Sequence, residues 1–449
     1  MKRPDAVRVR RAVPVDGDAI AALYRRCYSS AARPDCRRNY PFPQVMDPEW
    51  IRAALRDGTV IWMVADNAGR VAGAVALYLG DDKEPAPAPE YFGLVVDPAC
   101  QGRSLGAALL GALCTAMAET RAFAVGQVRL AGLAATSVVE RSPLRVMGFE
   151  PLAYDMIGGQ ESMIAVGHVS AAALAMRLPS QGGTAAVQRL ARLVLGQTGV
   201  RDAPAEHGRP ALTVRDLRRH LRVIDGGTFA TSRDRLGPGA LPLLRLGRLE
   251  ALDERGPRPV DAFYAIGRGT TPTAAIWTRT DRRDRRVRIL EVVSPTLGSA
   301  AQMVCSLLAM MMETKGVGRP FSAVTDVEAG RGDVGHLLES VGFRPTVFYP
   351  AMLARDGQRL DVVQYTFLER GAPTSVRALV ARCPWELARA VAMHVLDGWA
   401  PPLVPHLARR LTSTHSSSAE PSVASMTMLA AASPRRRVPT RRIGPRREP

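Results

Sequence analysis

The run Glu90–Gly106, EYFGLVVDPACQGRSLG, holds the residues best suited to chemistry. A β-rich stretch ends at Val96-Asp97-Pro98, and a turn containing Gly102 and Gly106 opens a long apolar helix. The N–H groups at a helix start have no intrahelical acceptor and lie at the positive end of its dipole, so together they bind phosphate. Glycine lets a diphosphate approach the main chain closely, and Arg103 adds a charged donor inside the turn.

Other reactive residue types form no comparable pattern. The cysteines (Cys27, Cys36, Cys100, Cys114, Cys305, Cys383) are widely spaced without a CxxC pair, which points to buried or free thiols in a reducing compartment. The seven histidines make no HExxH or paired spacing, so no metal site is expected. The Met310–Met312 run lies on an apolar helical stretch and reads as core filler. Arg282, Arg283, Arg285 and Arg286 alternate with Asp281 and Asp284, which reads as a solvated hairpin tip.

The elements that must position the turn follow from pattern. Residues 7–12 alternate like a strand, and a helix runs to about Tyr28. A second helix opens at Asp47-Pro48, where proline suits the first helical position. Thr59–Ala65 and Val71–Leu79 form a hairpin around Asp66-Asn67-Ala68-Gly69. Strand Tyr91–Val96, a helix from about Ser104 to Glu119, strand Val128–Ala131 and a helix near Val138–Met147 follow, and Gly148-Phe149 leads into two more strands. The order is β-α-α-β-β-β-α-β-α-β-β.

A comparable order recurs. Pro98 and Pro295 lie 197 residues apart, and Gly148-Phe149 and Gly342-Phe343 lie 194 apart. Two anchors in near agreement predict a duplicated domain. The predicted division is a first domain at 1–169, a helical linker at 170–209, a degenerate second copy at 210–370, a helical segment at 371–411 and a disordered Arg-rich tail at 412–449. The fold class is α/β (α+β), with two tandem mixed sheets flanked by helices.

Composition bounds the rest. The 449 residues are 47% hydrophobic and 23% charged, as in globular proteins. Apolar runs fall short of a membrane span, and the N-terminus shows no secretory signal, so a cytoplasmic protein without membrane association is expected. The net charge of +18 comes almost wholly from arginine, since Lys2, Lys83 and Lys315 are the only lysines. The arginines are spread along the chain without aromatic interleaving. This favours arginine usage from a GC-rich coding sequence over a nucleic-acid partner, and a basic surface suits anionic ligands.

The segment around Gln101 resembles motif A of the GCN5-related N-acetyltransferases, the GNAT superfamily, whose pattern is Gln/Arg-x-x-Gly-x-Gly/Ala. Here it reads Gln101, Gly102, Arg103, Ser104, Leu105, Gly106, with Ser104 in place of the first core glycine. The resemblance covers about residues 5–168, with a degraded echo in 210–370. It implies acyl-CoA, in the first instance acetyl-CoA, as co-substrate, held by Leu94, Val95, Val96, Gln101, Gly102, Arg103, Ser104, Leu105, Gly106 and Ala107. It implies transfer of the acetyl group to a small-molecule or protein amine by direct attack, with main-chain N–H groups of Leu94 or Val96 polarising the thioester.

Glu90 stands where histone-type members carry a general-base glutamate; a solvated strand-start glutamate is the alternative. The slot of the usual acid tyrosine holds Leu144, leaving Tyr91, Ser142 or Tyr154 as substitutes. The second copy lacks the Gln-Gly-Arg segment and carries Leu338 in the tyrosine slot, so no competent diphosphate cradle is expected there; it is expected to complete a pseudo-dimeric core and shape the acceptor cleft, with an independent second active site as the alternative. A non-catalytic acyl-CoA-binding or interaction protein is the rival reading, and a homodimer stays open.

Overall fold

The computed structural model describes residues 7–28, 43–79, 89–118, 122–130, 133–156, 159–180, 182–200, 219–236, 260–267, 272–281, 284–316, 319–370 and 373–399. All lie in one compact unit, Met1–Pro405. The basic tail expected to be disordered lies outside the described residues.

The first half runs β1 (Arg8–Arg11), α1 (Gly17–Tyr28), α2 (Pro48–Arg56), β2 (Val60–Asn67), β3 (Arg70–Tyr78), β4 (Glu90–Val96), α3 (Leu105–Ala118), β5 (Phe123–Arg129), α4 (Leu133–Glu140), β6 (Arg145–Met156) and β7 (Gly159–Val169). This is the order expected from sequence. Two elements lie N-terminal to their expected places. The strand expected at Val128–Ala131 starts at Phe123, where β-branched and aromatic residues begin. The helix expected to reach Met147 stops at Glu140, because Ser142-Pro143 turns the chain and proline lacks the N–H a helix needs.

After α5 (Ala171–Ala175) and α6 (Ala185–Leu195) come β8 (Arg222–Ile224), α7 (Gly226–Leu236), β9 (Val260–Ile266), β10 (Ala274–Asp281) and β11 (Arg286–Val293). They are followed by α8 (Leu297–Glu313), β12 (Ser322–Glu328), α9 (Gly332–Ser340), β13 (Arg344–Arg355) and β14 (Gln358–Leu368). Helices α10 (Thr374–Ala381) and α11 (Glu386–Asp397) close the described chain.

The strands form one open sheet in the order β1-β2-β3-β4-β5-β7-β6-β13-β14-β12-β11-β10-β9-β8. Read from either edge, the two halves give the same arrangement. Among the described strands, only β4–β5 and β11–β12 pair in parallel. The two sheets expected from sequence are therefore one, joined at the single pair Val347↔Gly148. A Cβ at Gly148 would stand 2.2 Å from the Thr346 carbonyl oxygen, so only glycine lets the two backbones meet here. Helices α6 and α11 pack over this joint and bury Val187, Leu190, Val391 and Val395.

One face of the first half packs on α3 through Leu109, Leu113 and Met117. The other packs on α1 and α2 through Tyr24, Ile51, Trp62 and Phe92. No described helix is long and apolar enough to cross a membrane.

Candidate functional site

Strand β4 begins the site. Ladder pairing with β3 runs Tyr78↔Glu90, Leu77↔Tyr91 and Ala76↔Phe92, then slips before Ala74↔Val95 and Gly73↔Val96. The slip is a bulge at Gly93-Leu94, with Gly93 at φ +68°, a conformation that favours glycine. The hydroxyl of Tyr24, fully buried on α1, donates to the Gly93 carbonyl and fixes the bulge to that helix.

On its other side β4 pairs with β5 only at Glu90↔Val125 and Tyr91↔Gly126, and beyond these residues the strands part. The Asp97 N–H donates to the Ala72 carbonyl on β3 at 2.8 Å. Alternation along the strand then turns the main-chain groups of Val95 toward β3, and those of Leu94 and Val96 toward the side β5 has left. Of the three strand residues expected to hold ligand, Val95 thus turns its main chain to the ladder, and Leu94 and Val96 turn theirs to the gap. The Val96 carbonyl accepts from the Gln101 side-chain amide at 3.4 Å and from the Cys27 thiol at 3.8 Å.

The turn after β4 is organised by buried Asp97. Its carboxylate accepts from the Ala99 N–H at 3.1 Å and pairs with Arg70 at 2.6 Å and Arg26 at 3.3 Å. Burial alone would raise this carboxyl, but the Ala99 N–H and the two guanidinium groups outweigh it and hold the group below the usual carboxylate range. Gln101, Gly102, Arg103 and Ser104 are exposed.

Helix α3 makes its first intrahelical bond from the Ala108 N–H to the Ser104 carbonyl at 3.1 Å, so the N–H groups of Leu105, Gly106 and Ala107 precede any helical acceptor. Gly106 packs this first turn on α4, where a Cβ would lie 2.8 Å from Val138 Cγ1. Together the turn and the gap form a cradle with free amides at one end and a slot between strands at the other.

Ser104, the departure from the motif, has φ +57°. It stands in the left-handed region at the position where the pattern calls for glycine, and a non-glycine residue there costs roughly 1–2 kcal/mol. We expect Ser104→Gly to raise stability by up to about 1 kcal/mol, because the glycine also loses more freedom on folding. Ser104→Val, β-branched and unable to hold that φ cheaply, should weaken coenzyme A binding about tenfold or more in calorimetric titration. Equal affinity of the valine variant would separate this turn from the ligand.

Glu90 is 6% exposed. The solvated strand-start reading is therefore excluded. Side chains alternate, so Glu90 and Phe92 share the α1/α2 face while Tyr91 points to the α3 face. Tyr91 is buried there with its hydroxyl 3.5 Å from Cys114 Sγ, and burial, then Cys114, push that hydroxyl well above its usual range. Tyr91 is corrected from candidate acid to core packing. Ser142 is committed locally, donating to the Val139 carbonyl at 2.7 Å and accepting from the Leu144 N–H at 3.2 Å. Leu144 is core.

Tyr154 belongs to a network that sequence reading missed. Its hydroxyl donates to Gln127 Oε1, and Gln127 Nε2 donates to buried Glu150 at 2.6 Å. Gln127 lies two residues beyond Val125, the ladder partner of Glu90, and on the same face of β5. The segment 284–286 of the second half docks here. The Asp155 N–H donates to Asp284 at 3.2 Å, Arg285 lies 3.9 Å from Asp155, and Arg286 lies 3.8 Å from Glu150. Asp284 and Arg286 are buried. The solvated-tip reading is corrected for these residues; Arg282 and Arg283 lie outside the described ones. Nothing in the local sequence signals a contact made across the joint.

The equivalent place in the second half is built differently. Strands β11 and β12 pair from Arg286↔Ser322 to Arg288↔Val324 and then part, as β4 and β5 do. Only residues 294–296 lead into α8, and a side chain caps one amide of its first turn. Thr296 Oγ1 accepts from the Ser299 N–H at 3.2 Å, and the Thr296 carbonyl accepts from the Ala300 N–H at 3.0 Å. An ion pair, Arg288–Asp326 at 3.0 Å, is buried where the two strands separate. Among the described residues, no group of three or more His, Cys, Asp or Glu could hold a metal ion.

Residues 18–141 match the family model described as Acetyltransferase (GNAT) family. No curated protein sequence matches the chain. Among solved structures, the chain is similar to a GNAT-family acetyltransferase from Streptococcus pneumoniae at 16% identity, over 37% of this chain and 99% of that one, with a TM-score of 0.31. A ribosomal-protein-alanine N-acetyltransferase from Brucella melitensis is 17% identical over 36% of this chain and 99% of its own, at TM-score 0.31. A ribosomal alpha-N-protein acetyltransferase, solved in complex with coenzyme A, is 18% identical over 37% and 97%, at TM-score 0.30.

Proposed function

We propose that the first half, whose residues 18–141 match the GNAT acetyltransferase family model, transfers an acetyl group from acetyl-CoA to an amine by direct attack. One observation carries this reading. β4 leaves β5 after Tyr91, one residue past buried Glu90, and the gap runs into a helix start whose amides have no helical acceptor.

Acetyl-CoA supplies the activated thioester. The N–H groups of Gly102 to Ala107 hold its diphosphate, with Arg103 adding charge. The Leu94 and Val96 N–H groups take up the negative charge that grows on the thioester oxygen. Glu90 accepts the proton that the amine must lose, since a lysine-like amine is protonated below about pH 10. The amine nitrogen gains the bond to the acyl carbon, the carbon–sulfur bond breaks, and the thiolate takes up a proton from solvent.

The second half is a non-catalytic wall of the same site, a role supported by the side-chain cap at its helix start. The acceptor is a small molecule or a protein carrying an amine. A second reading, an acyl-CoA-binding module without transfer, is favoured by Leu144, which fills the acid slot with core. Coenzyme A thiol release from acetyl-CoA, followed with and without a panel of amines, separates the two. Amine-dependent thiol supports transfer, and binding of acetyl-CoA with no thiol from any amine supports the module.

A further inference from the structure

Arg286 is a buried charged side chain with one donor left unmet. It is 7% exposed, and its Nε is sealed from solvent with no hydrogen-bond acceptor. Its ion-pair contact with Glu150, at 3.8 Å, is too long for a hydrogen bond. Beside it in the β11–β12 ladder stands Ser322, fully buried, whose Oγ also has no partner. Neighbouring residues in a ladder share a face, so the two orphaned groups lie together. An unmet buried donor is costly to the fold, and more so when charged. A fold that keeps two such donors side by side is prepared for an acceptor arriving from outside.

Place and chemistry name that acceptor. Through Glu150 and Gln127, Arg286 is connected to the face of β5 that carries Val125, the ladder partner of Glu90. The second half reaches this face at another point as well, where the rings of Tyr349 and Phe123 meet edge to face at 6.1 Å. Arg286 opens β11 as Glu90 opens β4, so the two halves put opposite charges at matching positions. A guanidinium edge with a free Nε binds a carboxylate through two parallel N–H bonds, and Ser322 adds a hydroxyl donor.

Resting on the acetyltransferase reading of the first half, we propose that Arg286 and Ser322 form a carboxylate-recognising subsite and that the acceptor is an amino acid or peptide bearing both an amine and a free carboxylate. Arg286 is a specificity residue contributed by the second half to the site of the first, and Glu150 holds its guanidinium in place.

The test is calorimetric binding to the full chain loaded with coenzyme A. The probes are glycine, β-alanine, 4-aminobutyrate and short dipeptides, each against its carboxamide. At least one acid is expected to bind tenfold or more tightly than its amide. Arg286→Gln should abolish that preference, and Arg286→Lys, which keeps the charge and the packing stem, should retain only part of it. Coenzyme A affinity should not change in either variant. Acids binding no better than amides to the wild-type chain, or a preference that survives in both variants, overturns the subsite. Thiol release is measured separately. Its absence alongside a carboxylate preference contradicts acetyl transfer and leaves the subsite standing.

Discussion

Replacing Glu90 with glutamine should lower turnover by about 100-fold to 10,000-fold, the range expected when a positioned general base is removed. Glutamine has nearly the same shape and keeps a carbonyl oxygen as acceptor, but it cannot take the proton from an attacking ammonium. Glu90 is buried beside the point where β4 and β5 part, on the face opposite α3. The substitution therefore touches none of the amides of the turn between Gln101 and Ala107. Coenzyme A affinity should accordingly stay within about twofold of wild type, and the loss should fall on kcat rather than on binding. The check is steady-state kinetics alongside calorimetric titration of coenzyme A. Unchanged turnover would remove Glu90 from the chemistry and leave proton removal to another group on the same face.

The second large effect concerns stability. Asp361 is fully buried and holds four groups at once. Arg177 donates to it through Nε at 2.8 Å and Nη2 at 2.7 Å, Ser180 Oγ donates at 3.1 Å, and the Ala351 N–H donates at 2.9 Å. Ala351 sits at φ +52°, a left-handed position that needs such support. Arg177 lies in the strap that leaves the first half and crosses the second, with Leu178 N–H donating to the Arg359 carbonyl at 2.8 Å.

Asp361→Ala would strand a guanidinium that is 3% exposed and release the bend at Ala351. Breaking one partner of a buried ion pair costs about 3–5 kcal/mol, which should appear as a lower midpoint in urea unfolding. The double substitution Arg177→Leu with Asp361→Leu should recover much of that loss, because it removes the stranded charge. A loss below about 1 kcal/mol for Asp361→Ala would mean that the strap contributes little to the fold.

How much of this was readable from sequence depends on the range of the forces involved. The turn from Val96 to Gly106 was readable because glycine, proline and a helix start act within a few residues. The duplicated order was readable because Pro98/Pro295 and Gly148/Gly342 mark equivalent strand ends. What Ser104 does was not readable, since the letter alone does not show that its backbone takes the left-handed conformation normally left to glycine. The alternation of arginine and aspartate at 281–286 satisfies a solvated turn equally well, and only the joint at Gly148 brings Asp284 and Arg286 onto β6. Tyr91 illustrates the same limit. Its neighbour Glu90 faces α1 and α2, and one step along the strand sends the tyrosine to Cys114 and the core.

The account stands or falls on where acetyl-CoA sits, and a co-crystal structure of the full chain with it tests this most directly. The expected result is the diphosphate within hydrogen-bond distance of main-chain N–H groups between Gly102 and Ala107, with the pantetheine arm lying between β4 and β5. A ligand found instead at residues 294–299, or a diphosphate held only by side chains away from the α3 start, would contradict it.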